Sequence, residues 1–116
     1  MNKIIAQALN ERAAVHGHRV LVVSATSTHA RHALDELEAA VIALAVRRIT
    51  RANGRLRIGY LNGGSISVVS AGGRGGRGLA ADTVFVEWEA ERRYPHLMED
   101  LLPCIQASPH GEVIRA

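Results

Sequence analysis

Two stretches of this chain, HRVLVVSA at His18–Ala25 and TVFV at Thr83–Val86, are almost unbroken apolar runs. A strand that alternates apolar and polar residues can leave one face in water, whereas a continuously apolar strand must be covered on both faces. A chain of 116 residues has room for one core of that kind. The two runs are therefore expected to share one sheet with helices above and below it. The expected fold is α/β: a three-layer sandwich with a mainly parallel sheet, in a single domain over 1–116.

Helical spacing surrounds the first run. Ile4, Ile5, Ala8, Leu9 and Ala13 recur at three and four residues, and Gly17 is a natural stop. After the run, Ser27 or Thr28 can cap a second helix. Ala30, Ala33, Leu34, Leu37, Val41 and Leu44 mark its buried face, Asp35, Glu36 and Glu38 lie away from it, and it is expected to end near Arg48. In LRIGYLNGGSISVVSA, two β-prone stretches flank Asn62-Gly63-Gly64, residues that accept the positive φ of a tight turn, so this segment predicts a β-hairpin. Its apolar residues Tyr60, Ile66, Val68 and Val69 should be buried. GGRGGRG, Gly72–Gly78, is too glycine-rich for a regular element and reads as a loop. A helix is expected over His96–Gln106, bent at Pro103. GEVIRA supplies a last strand after the turn at Ser108–Gly111. The expected order is helix, strand, helix, hairpin, strand, helix, strand.

Charge is distributed unevenly. From Ala39 to Ala81 there is no acidic residue but seven arginines: Arg47, Arg48, Arg51, Arg55, Arg57, Arg74 and Arg77. From Asp82 to Asp100 there are six acids against Arg92 and Arg93. Such blocks point to two opposed faces, a surface that pairs with a copy of itself, or segments that meet and cancel within the fold. The arginines at the end of the second helix suit its dipole, and they equally suit nucleic-acid phosphates. With only four aromatic residues, none interleaved with Arg47–Arg57, base stacking is not expected.

Other chemistries find little support. Cys104 is the single cysteine, so no internal disulfide forms. The six histidines, including His16 and His18 around Gly17 and His29 and His32 at i, i+3, show no spacing that makes three or four ligands converge, and no metal or other cofactor is expected. Ser24, His29 and Asp82 lack the GxSxG elbow of a nucleophile site. No apolar run reaches the roughly 20 residues of a membrane helix, and the first residues do not read as a signal peptide. A cytoplasmic protein that does not enter membranes is expected.

Three stretches together carry a family resemblance. GHRVLVVSATSTHARHALDEL is similar to the strand and helix that follow the phosphate loop in terminase and helicase-like ATPases. RIGYLNGGSISVVSAGGRGGRGLAADTVFVEWEAE resembles the terminase pattern of an Asn-Gly hairpin, an Arg-Gly-rich loop, an Asp and the Walker B strand. LLPCIQASPHGEVIRA resembles the helix, turn and strand leading to the next motif. The resemblance covers most of the chain and implies a P-loop NTPase-like core of the kind found in phage terminase large subunits. It also implies what differs: no GxxxxGK[ST] loop occurs in these 116 residues, with Lys3 near the place of its lysine. Glu87 takes the Walker-B-like magnesium position in part. Trp88 occupies the place of the catalytic Glu, and strand alternation would turn Glu89 to the other side.

These readings lead to a non-catalytic, terminase-ATPase-like phage protein that binds a protein partner, either a second copy in a homodimer or a host or packaging protein. The alternatives are a nucleic-acid-binding module using the arginine cluster, and residual nucleotide binding through Glu87 and the glycine loop.

Overall fold

The structure, a computed structural model, describes residues 1–52, 55–72 and 79–116. Helix α1 (Lys3–Ala14) leads to strand β1 (Arg19–Ser24) and helix α2 (Ser27–Glu38). A 3-10 turn at Ala43–Ala45 opens onto strands β2 (Val46–Ala52), β3 (Arg55–Tyr60), β4 (Ser65–Ser70) and β5 (Thr83–Val86). Helices α3 (Trp88–Arg93) and α4 (Leu97–Ile105) precede the last strand, β6 (Glu112–Arg115). The strands form one mixed sheet in the order β2-β3-β4-β1-β5-β6. The pairs β1–β4, β1–β5 and β5–β6 are parallel, while β2–β3 and β3–β4 are antiparallel.

The continuous apolar runs occupy the middle of the sheet, as their composition requires. Along β1, Val20 and Val22 face a core shared with α1 and α2, whereas Leu21 and Val23 face a second core shared with α3 and α4. All four are essentially inaccessible to water. Full burial of each such side chain is worth about 1.5–3 kcal/mol, which makes β1 the keel of both layers. The three-layer arrangement follows.

One polar cluster ties the first layer together. Asn10 on α1 is completely buried. Its amide donates to the carbonyls of Ala6 at 2.9 Å and Leu37 at 3.0 Å, and its Oδ1 accepts from the Tyr60 hydroxyl at 2.5 Å. Two helices and β3 are thereby joined through groups that would be costly to bury unpaired. Burial pushes the Tyr60 phenol above its ordinary range, opposed by the backbone N–H of Ile42.

The hairpin is built as expected, with Gly63 at φ 90° and Tyr60, Ile66 and Val68 buried. Val69 departs from expectation: it is only partly buried, against the second core. Other expectations are corrected. The α2 cap is Thr26, whose hydroxyl accepts from the His29 N–H at 3.2 Å, in place of Ser27 or Thr28. The helix stops at Glu38 rather than near Arg48. Tight bonds from Ala40 to Leu37 and from Val41 to Glu38 close its last turn. The β-branched residues beyond it then pair with β3, as with Ile49 opposite Ile58. Arg47, Arg48 and Arg51 consequently sit on an edge strand, not at a helix terminus. Trp88–Arg93 is helical, so the strand alternation expected of Glu89 does not apply. The fourth helix spans Leu97–Ile105 with Pro103 in its last turn. Among the described residues no helix is long and apolar enough to cross a membrane.

Candidate functional site

Strand β3 alternates. Leu56, Ile58 and Tyr60 pack into the first core, which turns Arg55 and Arg57 to the opposite face. The register then shows what shares that face. Arg48 lies opposite Gly59, Gly59 opposite Ser65, and Ser65 beside Arg19. In the next row Thr50, Arg57 and Ser67 lead to Leu21. Ala52 and Arg55 form a third pair. Helix α3 packs on β1 and α4 on β5, and Arg48, Arg55 and Arg57 remain exposed. Diagonal neighbours across two strands are about 7–8 Å apart, so these three arginines share one face of the sheet with Thr50, Ser65 and Ser67.

Two features shape the patch. A side chain at Gly59 would meet the Arg57 Nη1 at 3.1 Å, so the glycine lets that guanidinium lie against the sheet. Beside it, a shallow cleft of about 180 Å³ is lined by Arg19, Arg57, Ser65, Ser67 and Leu79–Ala81. Arg19 is partly neutralised by Asp82, with Nε to Oδ2 at 3.5 Å. Among the described residues Arg47, Arg48, Arg55 and Arg57 form no ion pair, whereas Arg51 reaches across the other face of the sheet to Asp35 at 2.9 Å and Glu38 at 2.6 Å on α2. Arg51 is thus separated from the patch, and Arg47 is exposed at the β-bulge between Val46 and Arg48. Arg74 and Arg77 lie outside the described residues, as does GGRGGRG beyond Gly72.

Among the described residues, two acids of the block pair elsewhere than with Arg48, Arg55 and Arg57. Glu89 pairs with Arg92 at 3.6 Å, and Glu91 with Arg115 at 3.3 Å. Glu87 follows β5, where it accepts a hydrogen bond from the Ser24 hydroxyl at the end of β1. It therefore stands across β1 and β4 from the arginine patch, and the structure does not bring the two together. Trp88 opens α3 and is 58% exposed, with the Arg92 guanidinium 5.5 Å from its ring centre.

The arginine cluster was visible in the sequence, but its division was not. The alternation of Arg55 and Arg57 with Leu56 and Ile58 was the available signal. Arg19, Ser65 and Ser67 join only through the parallel pairing of β1 with β4. Comparison with known proteins finds no matching family model, curated protein or solved structure.

Proposed function

We propose that this chain is a non-catalytic domain that binds the phosphate backbone of a nucleic acid on the half-open face of its sheet. The observation that carries the reading is the set of three exposed arginines, Arg48, Arg55 and Arg57, without carboxylate partners among the described residues on a floor of Thr50, Gly59, Ser65 and Ser67. Arginine is suited to bidentate phosphate contacts, and small hydroxyl residues let a backbone approach closely. The patch includes no aromatic side chain for base stacking, so binding is insensitive to sequence. Titrating a labelled duplex at increasing salt tests this. Affinity should fall steeply with salt, and Arg48→Ala and Arg57→Ala should each reduce the log–log slope by about one. Binding that ignores both substitutions would refute the assignment.

The non-catalytic part of the reading extends the resemblance to terminase ATPase cores. It is supported by Trp88 in the place of the catalytic acid and by Glu87 being held by Ser24. Phosphate release from ATP and magnesium should be no faster than for Glu87→Ala; turnover that depends on Glu87 would overturn it.

A second reading, binding of a protein partner or a second copy, is favoured by a different surface. Leu44, Leu61 and Val15 are 96%, 68% and 60% exposed. Their chain segments are joined where the Leu61 N–H donates to the Ala45 carbonyl and the Asn62 amide donates to the Ala14 carbonyl. Light scattering at micromolar concentration tests the homodimer, and a monomer mass excludes it.

A further inference from the structure

A further cleft lies beside the C-terminal end of α1 and the start of β6. It has a volume of about 830 Å³ and is lined by Glu11, Arg12, His16, His18, His110 and Glu112 among others. Gly17, at φ 68°, reverses the chain so that His16 and His18 stand side by side. The turn before β6 brings His110 against them from a distant part of the sequence. Ring centroids are 5.9 Å apart for His16 and His18, and 5.7 Å for His18 and His110. The Nδ1 atom of His18 is buried with no hydrogen-bond partner. A buried, unpaired imidazole nitrogen is unfavourable unless something satisfies it.

Two imidazoles on one tetrahedral ion, with metal–nitrogen bonds of about 2.0–2.1 Å, place their ring centres roughly 5 Å apart. Both spacings here exceed that by less than about 1 Å. As the rings stand, no three donor atoms among the described residues meet at one point. The near-parallel stack of His18 and His110, 16° between planes, turns their nitrogens aside. His16 and His110 are exposed to solvent on either side of His18. Imidazole donors suit zinc, copper and nickel, whereas magnesium and calcium require oxygen.

We infer that this cleft binds a divalent transition ion of the zinc type through His16, His18 and His110, leaving the fourth position to water. The ion links the end of α1 to the starts of β1 and β6, so its binding raises the melting temperature.

The test uses tag-free protein titrated with zinc chloride in a calorimeter, with magnesium chloride as the control cation. Cobalt substitution reports coordination through its visible absorption. Micromolar binding of one zinc per chain and no magnesium binding are expected. A cobalt spectrum of tetrahedral intensity is expected. His16→Gln and His110→Asn, both at exposed positions that leave the fold intact, should each weaken zinc by about tenfold or more. His29→Gln and His32→Gln on α2 should leave it unchanged. Absence of zinc binding at about 100 µM, or equal binding by the His16→Gln/His110→Asn double variant, overturns the assignment.

Discussion

Among the described residues, both faces of the sheet are covered around β1, β5 and β6, whereas β2, β3 and the start of β4 are covered mainly by α1 and α2. The covered half uses its central strands for packing: TVFV is buried at all four positions, and β1 is buried from Val20 to Ser24. The half-open side alternates, so every second residue is released from packing, and that is where the arginines occur. Polar chemistry at those positions costs the fold almost nothing. The same chemistry in β1 or β5 would require paired, fully satisfied groups in the core. The contrast explains why the binding surface proposed above lies on the antiparallel strands.

The contrast is broken most directly at Phe85, which is 1% exposed. Phe85→Ala should cost about 3–5 kcal/mol, while Arg57→Ala should change stability by no more than about 0.5 kcal/mol. Urea denaturation of both variants decides it. Equal losses would mean that Arg57 is part of the packing and that the open face is not open.

A smaller effect separates the two glycines of the hairpin turn. A side chain on Gly64 would stand 2.0 Å from the Ala13 carbonyl oxygen, a backbone atom that cannot swing away. Gly64→Ala should cost about 3 kcal/mol, the upper part of the range for overpacking. A methyl added to Gly63, at φ 90°, would meet nothing within 4 Å, so a substitution there carries conformational strain only. Gly63→Ala should cost about 1 kcal/mol. The reverse ranking in thermal melts would mean that the hairpin is not docked against the end of α1.

The two halves were also unequally legible from sequence. Continuous apolar runs announced β1 and β5 because nothing but double-sided burial accounts for them. Asn62-Gly63-Gly64 announced the turn because few residues accept its backbone. Strand β2 was concealed because Val41 and Leu44 continue the three-and-four spacing of α2, and arginines are as acceptable in a helix as on an edge strand. Helix α3 was concealed because WEAERR follows a strand without an intervening turn residue. Of the arginine patch, the alternation of Arg55 and Arg57 was readable locally. The separation of Arg51 and the approach of Arg19 depend on which strands and helices become neighbours, and no local pattern encodes that.

Acid sharpens the comparison at the base of the covered half. Burial raises the Asp82 carboxyl, but the Arg19 backbone N–H, the Ser108 hydroxyl and the Arg19 side chain outweigh it and hold the group below its ordinary value. Glu112 is lowered chiefly by its hydrogen bond from Arg12, against burial. Both carboxylates are depressed in the folded state. Their contribution is present above the ordinary carboxylate range and is lost as pH falls through the folded values. Stability should therefore decline below about pH 4.5, and Asp82→Asn should flatten that decline while lowering stability at neutral pH. An unchanged acid slope would remove Asp82 from the account.

The smallest expected effect distinguishes Arg51 from its neighbours on the same pair of strands. Its guanidinium bridges Asp35 and Glu38, which raise its pKa through hydrogen bonds opposed by desolvation. All three side chains remain substantially exposed, at 39%, 60% and 43%. Exposed pairs are worth about 0–1 kcal/mol, so Arg51→Ala should lower stability by about 0.5 kcal/mol, and less at high salt. Because Arg51 is on the α2 face and already neutralised, its loss should leave duplex affinity and the salt slope unchanged. Arg57→Ala should do the opposite, with stability retained and the slope reduced. The pair of measurements uses one residue type, one strand pair and two faces. If both variants lose affinity equally, binding follows net charge alone and the face of the sheet is irrelevant; if only Arg57 matters, the register between β2 and β3 has selected which arginines can act.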